Sequence, residues 1–107
     1  MTPKAKDKLW VDDLRPAPDD TWATAKTSYE ALEFLRSRRV PYKEISLDHD
    51  MGGDDTTMAV VDWLIWNVRG WPKDISIHTQ NPVGRDNLIR TISTYAPPSV
   101  DIWIVTW

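Results

Sequence analysis

The sequence predicts a three-layer α/β domain with a flavodoxin-like, five-stranded, mainly parallel sheet in the strand order 2-1-3-4-5. Three observations lead to this fold class. Short apolar runs alternate with segments of helical periodicity, polar residues follow most of these runs, and 107 residues suit a single domain. The eight residues between the first two strands are too few for a crossover helix. We therefore expect the first crossover helix to be missing or reduced.

The first half of the chain supplies a tail, two strands and a helix. Residues 1–7 are polar and predict a flexible tail, which leaves residues 8–107 as the single domain. The continuous apolar run Leu9–Val11 predicts a buried parallel strand, and a short second strand follows at residues 22–26. Residues 27–30 (TSYE) match a capping box, which predicts that the first helix begins there.

The second half of the chain repeats the alternation of strand and helix. Ile45–Leu47 and Ile75–Ile77 predict the third and fourth strands, and Ile102–Val105 predicts a final buried strand. A helix should follow the third strand, with its N-cap at one of three residues, Asp54, Asp55 or Thr56. Residues 81–82 (NP) form a good N-cap and first-turn pair, which predicts the start of the last helix.

The composition excludes several kinds of site. The chain has no cysteine, so it can form neither disulfides nor zinc–thiolate sites, and it offers no thiol nucleophile. Nothing in it resembles a signal peptide, and no apolar run approaches the length that crosses a membrane. We therefore expect a cytoplasmic protein with no membrane partner.

Basic residues gather in two groups, although the formal net charge is -3. The first group is Lys4, Lys6 and Lys8, and the second is Arg36, Arg38, Arg39 and Lys43. Proteins that bind single strands interleave basic with aromatic residues, and neither group shows this pattern. Both groups are therefore predicted to be solvated faces. The seven tryptophans are unusual in so small a chain. Most should lie in the core, but an apolar partner surface, such as a homo-oligomer interface, stays open.

Polar residues follow three of the predicted strands at the point where each strand ends. Residues 12–13 (DD) follow the first strand, residues 48–50 (DHD) the third, and residues 78–79 (HT) the fourth. In open parallel sheets, ligands bind beyond the carboxyl ends of the strands, at the switch point between the first and third strands. The sequence therefore predicts a functional site at this edge of the sheet.

Four aspartates of this edge are candidate metal ligands: Asp12, Asp13, Asp48 and Asp50. Carboxylates crowded in one crevice repel one another, so protonation or a bound cation must relieve the charge. Hard oxygen ligands suit Mg²⁺ or Mn²⁺. On an extended segment, Asp48 and Asp50 would point to one face and His49 to the other. The alternative is structural, because acidic residues often begin loops, where Asp12 or Asp13 would bond the backbone of the turn.

Five further residues are candidates for substrate binding and proton transfer. Arg15 could hold a substrate phosphate bidentately, or it could be a surface ion partner. Thr79 and Asn81 stand where free N–H groups of a helix start attract anions, although a plain capping role is favoured for Asn81. His78 is the candidate general acid or base, with His49 the weaker one. The alternative for His78 is a hydrogen-bonded core histidine.

Three segments together resemble the motifs of the cyclic-phosphate processing receiver-like family of bacteria and phages. They are Leu9–Pro16 (LWVDDLRP), Leu47–Asp50 (LDHD) and His78–Gly84 (HTQNPVG), and the resemblance spans nearly the whole chain. It implies a receiver-like fold, a role in processing cyclic phosphate ends of RNA or related nucleotides, and a cytoplasmic setting in a bacterial or phage-infected cell. The site that it implies has eight residues: Asp12, Asp13, Arg15, Asp48, His49, Asp50, His78 and Asn81.

The chain also resembles phosphorelay receivers, in its acidic pair and in the aspartate after the third strand. Those receivers carry a lysine after the fifth strand that holds the phosphoryl group. This chain has residues 105–107 (VTW) at that place. The difference argues against aspartyl-phosphate signalling.

The leading hypothesis for function is a metal-dependent phosphoesterase that opens a cyclic phosphodiester, with His78, His49 and Asp48 as catalytic residues. We favour His78 as the proton donor, because we expect it at the mouth of the site beside the last helix. One alternative is a module that binds a cyclic nucleotide or an RNA end without cleaving it. Another is a phage-type interaction module that uses the tryptophan-rich surface.

Overall fold

The computed structural model describes residues 6–105. Its elements in chain order are β1 (Lys8–Val11), β2 (Trp22–Ala25), α1 (Ser28–Arg36), β3 (Glu44–Leu47), α2 (Met58–Trp66), a 3-10 turn (Val68–Gly70), β4 (Asp74–Ile77), α3 (Pro82–Tyr95) and β5 (Asp101–Ile104). All five strands are parallel, in the order β2-β1-β3-β4-β5. This arrangement confirms the predicted fold class and strand order.

The three helices lie side by side on one face of the sheet. Helix α2 contacts both α1 and α3, and the three crossovers that contain these helices all move the chain in the same direction across the sheet. Right-handed crossovers of this kind place their helices on the same face. The helix of the opposite face would stand between β1 and β2, where residues 12–21 form a loop. The first crossover helix is thus missing, as predicted, so within residues 6–105 the helices cover one face of the sheet.

Apolar side chains of the strands pack under the helices. Six fully buried strand residues form the centre of this core: Leu9, Val11, Ile45, Leu47, Ile75 and Ile77. The helices cover them with Ala31, Leu35, Val60, Val61, Leu64, Leu88 and Ile92. Burying each large aliphatic side chain contributes about 1.5–3 kcal/mol, so this face fixes how the strands align.

Aromatic and small polar side chains occupy the helix-free face of the sheet. Trp10 of β1 is buried and packs edge to face on Trp22 of β2, with ring centroids 5.6 Å apart. The ammonium group of Lys8 lies over the ring of Trp22, 4.6 Å from its centroid. Ser46 and Ser76, which share a register row with Trp10, are also buried. Tryptophan therefore covers this face in the place of a helix.

Two predicted features of the elements are wrong. The N-cap of α2 is Thr57, one residue beyond the predicted candidates. Asp55 instead accepts hydrogen bonds from the backbone N–H and the hydroxyl of Ser28, and so ties the α2 loop to the start of α1. The final strand is not buried, since Trp103 and Ile104 are 59% and 51% exposed. The reason is that β5 forms the edge of the sheet.

The predicted helix starts are otherwise confirmed. Thr27 caps α1, because its hydroxyl accepts the N–H of Glu30 at 3.0 Å. The carboxylate of Glu30 accepts the N–H of Lys26 at 2.7 Å, one residue before the position that a capping box uses. The two side chains thus satisfy backbone donors at the start of the helix.

The predicted tail lies mostly outside the described residues. Its last two residues, Lys6 and Asp7, are described and are bound by neighbouring elements. The guanidinium of Arg38 donates to the carbonyl of Lys6 at 2.6 Å, and the N–H of Lys43 donates to the carbonyl of Asp7 at 2.8 Å. Within residues 6–105, no helix has the length and apolar character needed to cross a membrane.

Candidate functional site at the carboxyl edge of the sheet

Polar residues after β1, β3 and β4 lie in one row across the edge of the sheet. Backbone pairing continues one residue beyond each of these strands, because the N–H groups of Asp12, Asp48 and His78 donate to carbonyls of the neighbouring strand at 2.9–3.0 Å. Side chains alternate along an extended chain, so these three side chains point to the helix-free face. The structure therefore brings the polar ends of three strands together, as the sequence predicts.

His78 is completely buried, and both of its ring nitrogens are hydrogen-bonded. Nε2 lies 3.0 Å from a carboxylate oxygen of Asp12, and Nδ1 lies 2.8 Å from the hydroxyl of Ser46. The ring stacks on the indole of Trp10, with centroids 3.9 Å apart and planes 8° from parallel. Burial lowers the pKa of His78 to about 4, so the ring is neutral near pH 7. A neutral ring that donates to Asp12 accepts from Ser46.

The burial of His78 differs from the expectation that this residue lies at the mouth of the site. The His78 side chain belongs to the row that points to the helix-free face of the sheet. Its ring therefore packs on Trp10 and Ser46, away from the start of α3. His78 has the surroundings of a hydrogen-bonded core histidine, which was the alternative interpretation of the sequence.

Asp12 joins the buried histidine to the loop that follows β1. One of its carboxylate oxygens accepts the backbone N–H groups of Leu14 and Arg15, at 2.8 and 3.0 Å. The other accepts from His78 and lies 3.7 Å from the guanidinium of Arg15. The indole N–H of Trp10 also donates to the carbonyl of Arg15, at 2.9 Å. Asp12 thus bonds the backbone of the turn, and these contacts hold its carboxylate in place.

Three of the four predicted metal ligands lie close enough to share one ion. One carboxylate oxygen from each of Asp12, Asp13 and Asp48 lies within 4.8 Å of the other two. Burial raises the pKa of Asp48, against the opposing effect of hydrogen bonds from the His49 backbone and the Thr79 side chain, and the charge of Asp12 raises it further. A cation bound among these carboxylates would relieve the cost of ionising Asp48.

Gly52 allows the loop after β3 to approach this group of carboxylates. Its φ is +92°, which favours glycine, and a β-carbon there would lie 3.4 Å from a carboxylate oxygen of Asp13. Gly53 follows with a φ of +57°. The two glycines therefore turn the chain tightly beside the acids.

Asp50, the fourth predicted ligand, lies outside the group of three. Its exposed carboxylate accepts the side-chain amide of Asn81 at 3.0 Å, and its other oxygen lies 3.1 Å from Nδ1 of His49. The hydrogen bond from Asn81 has the largest effect in lowering the pKa of Asp50, and the hydrogen bond with His49 lowers it further. The expected ligand pair of Asp48 and Asp50 does not form, because the chain turns at Asp50 into a loop bridged to Thr56.

His49 packs against the first turn of α3. A β-carbon on Gly84 would lie 2.4 Å from the His49 ring, so the close approach requires glycine at that position. The His49 side chain is 13% exposed, and its Nδ1 lies 3.1 Å from a carboxylate oxygen of Asp50.

Asn81 and Thr79 are engaged in the turn that starts α3. Asn81 is the N-cap, since its side-chain carbonyl accepts the N–H of Gly84 at 3.1 Å while its amide donates to Asp50. The hydroxyl of Thr79 accepts the N–H of Asn81 at 3.1 Å. The capping role favoured for Asn81 is confirmed, and it leaves the amide facing the same space as Asp50.

An open cavity of about 330 Å³ lies between these elements. It is lined by Asp13, Leu14, Arg15, Asp48, Asp50, Gly52, Thr79, Gln80 and Asn81. Neither histidine of the chain lines it. A ligand in the cavity therefore meets carboxylates, one guanidinium and amide groups.

Sequence reasoning missed three residues that shape this site. Ser46 and Trp10 hold the His78 ring, and Gly84 makes room for His49. A signal existed for two of them: Ser46 interrupts an apolar strand, and Gly84 stands in the first turn of a helix, where glycine is unfavourable. Trp10 carries no such signal, because a tryptophan in an apolar run suggests only burial.

One family of known proteins matches most of the chain. The model of the family described as the cyclic-phosphate processing receiver domain matches residues 7–94. The match extends from the residue before β1 almost to the end of α3, and it contains every predicted site residue. No curated protein and no solved structure matches the chain. The chain belongs to the cyclic-phosphate processing receiver domain family.

Proposed function

We propose that the acidic edge is a metal-dependent phosphoesterase site that opens a cyclic phosphodiester, either the 2′,3′-cyclic phosphate end of an RNA or a cyclic nucleotide. The observation that carries the proposal is the group of three carboxylates, Asp12, Asp13 and Asp48, beside an open cavity. The description of the family supports cyclic phosphates as the substrate class.

The donor set fits Mg²⁺ or Mn²⁺. All three ligands are hard carboxylate oxygens, which both ions prefer, and both ions keep waters that meet a phosphate. Hydrogen bonds from the backbone hold Asp12, through Leu14 and Arg15, and Asp48, through His49. Bound there, the ion would polarise the phosphoryl oxygens and lower the pKa of a coordinated water.

Arg15 is the residue that we assign to the substrate phosphate. A cyclic phosphodiester carries one negative charge, so bare carboxylates would repel it. The Arg15 side chain lines the cavity and is 34% exposed, so its guanidinium can donate to a phosphate oxygen beside Asp12. The N-terminus of the 14-residue helix α3, capped by Asn81, adds a favourable dipole on the other side.

The two histidines have different roles in this proposal. His78 is a positioning residue, because its ring nitrogens are hydrogen-bonded and it orients the Asp12 carboxylate. Proton transfer to the leaving oxygen is assigned to His49, and the ionised Asp50, which lines the cavity 3.1 Å from Nδ1 of His49, orients the ring. His49 thereby replaces His78 as the favoured proton donor.

One observation favours a second candidate, a module that binds a cyclic phosphate without cleaving it. Neither His49 nor His78 lines the cavity, so proton transfer from a histidine needs an intermediate group. Capture of the ligand needs only the cation, Arg15 and the start of α3.

Hydrolysis of nucleoside 2′,3′-cyclic monophosphates with Mn²⁺, resolved by chromatography, separates the two candidates. For the phosphoesterase, wild type forms a phosphomonoester. Arg15→Ala should mainly raise KM, and His49→Ala should lower kcat by roughly 10²–10⁴, the usual range for a lost general acid or base. Arg90→Ala, an exposed change on α3, is the control and should leave both constants unchanged.

The binding module gives a different result in the same samples. The cyclic nucleotide then raises the melting temperature of wild type but not of Arg15→Ala, and no product forms. Absence of both product and melting shift would contradict both candidates.

A further inference from the structure

A basic and aromatic groove lies at the opposite end of the molecule from the acidic edge. It has a volume of about 510 Å³ and is formed by the last turns of α1 and α2, the loop before β3 and the 3-10 turn. Four arginines line it: Arg36, Arg38, Arg39 and Arg69. No acidic residue of the described chain lines the groove, although the whole chain has a formal net charge of -3. The side chains that line the groove therefore carry positive charge only.

The four arginines of the groove differ in their partners. Arg38 is structural, because it donates to the carbonyls of Lys6, Val40 and Pro41 and its guanidinium lies 4.0 Å from the centroid of the Tyr42 ring.

Arg36 lies 3.5 Å from Glu33, as an exposed pair on one helix. Arg39 and Arg69 are exposed and have no acidic partner within residues 6–105. Two guanidinium groups of the groove are thus available to an anionic partner.

Two tryptophans of α2 give the groove aromatic surface. Trp66 is 80% exposed, which is unusual for so large an apolar side chain. Trp63 packs on Gly70, where a β-carbon would lie 2.7 Å from its ring, and its carbonyl accepts the side-chain amide of Asn67 at 2.7 Å. The 3-10 turn therefore fixes the wall of the groove, while the Trp66 ring stays open to a planar partner.

We propose that this groove binds a single-stranded nucleic acid, with a base stacked on Trp66 and phosphates on Arg39 and Arg69. Exposed aromatic rings beside guanidinium groups are the features by which proteins hold single strands without reading their sequence. Trp66 ends α2, Arg69 lies in the 3-10 turn that follows it, and Arg39 comes from the segment after α1, so the fold brings together residues that are distant in the sequence. An acidic peptide would satisfy the arginines but would leave Trp66 without a stacking partner.

The test is fluorescence anisotropy of a labelled decauridylate with a free 3′-hydroxyl, titrated with full-length protein in EDTA. Because this probe has no cyclic phosphate and no divalent ion is present, its binding is independent of the proposed phosphoesterase. Trp66→Ala should weaken binding about tenfold or more, as loss of one stacked base does. Trp103→Ala, which removes a tryptophan 59% exposed on β5, is the matched control and should change binding less than twofold.

Salt dependence tests the arginines. Arg39→Gln and Arg69→Gln should each lower the slope of log affinity against log salt by about 0.7, the value for one phosphate of a single strand. Arg90→Gln, on the exposed surface of α3, should leave the slope unchanged.

Four results would overturn the proposal. They are absence of binding at low salt, equal loss of binding in the Trp66 and Trp103 variants, equal affinity for a duplex of the same length, and equally effective competition by polyglutamate.

Discussion

The two histidines of the chain follow neighbouring strands but lie in different surroundings. His78 stands in the row of side chains on the helix-free face, where Trp10 covers it and its exposure is 0%. His49 comes one residue after Asp48 in that row, so it turns to the helix side and packs on Gly84. The side chain that orients Asp12 and the side chain that contacts Asp50 thus differ because one extends the row of Asp12 and Asp48 and the other stands one residue beyond that row.

Removing each histidine should therefore have very different effects on stability. His78→Ala deletes a buried ring, breaks its bonds to Ser46 and Asp12, and leaves the Asp12 carboxylate without that donor, which should cost about 4 kcal/mol. His49→Ala removes a less buried ring and should cost about 1 kcal/mol. Urea unfolding followed by circular dichroism measures both. Equal losses of unfolding free energy in the two variants would contradict the predicted difference between the two histidines.

Stability should fall on acidification, because burial lowers the pKa of His78 from 6.5 to about 4. Between these values the unfolded chain binds a proton at this residue and the folded chain does not. The contribution of His78 is therefore complete above pH 6.5 and is lost toward pH 4, by about 3 kcal/mol in total.

The raised pKa of Asp48 acts in the opposite direction and limits this loss. Urea unfolding in EDTA at several pH values measures the slope. His78→Gln should remove most of the dependence between pH 6.5 and pH 4, and an unchanged slope in that variant would show that other groups cause it.

A double-mutant cycle tests whether the His49 ring packs against Gly84. Gly84→Ala puts a β-carbon 2.4 Å from the His49 ring, so it should cost about 2 kcal/mol through overpacking. In the His49→Ala background the same change should become neutral or stabilising by up to about 1 kcal/mol, because alanine favours the helix over glycine. The measurement is thermal or urea unfolding of all four proteins. A cost that persists without the His49 ring would place the ring elsewhere.

The gathering of polar residues at the edge of the sheet could be predicted from the sequence, because the patterns that indicate it lie within short segments. Three apolar runs each end in polar residues, and a parallel sheet brings such ends together whatever the details of packing. The missing helix followed from the short segment between β1 and β2. The capping role of Asn81 followed from the proline after it.

The surroundings of individual residues could not be predicted, because they depend on partners far along the chain. His78 is buried by Trp10, 68 residues before it, and Asp50 is held by Asn81 and leaves the ligand group. The groove around Trp66 is formed by the ends of two helices, and neither helix carries a sequence signal that the other lies beside it. The exposure of β5 depends on its position at the edge of the sheet, and an apolar run in the sequence carries no sign of that.

The central claim is that Asp12, Asp13 and Asp48 hold one divalent cation and that Asp50 does not. Titration with Mn²⁺, in which electron paramagnetic resonance reports the free ion, tests it directly. Wild type should bind one Mn²⁺ per chain, Asp48→Asn should bind none in the same range, and Asp50→Asn should bind as wild type does. Absence of binding by wild type, unchanged binding by Asp48→Asn, or loss in Asp50→Asn alone would contradict the account.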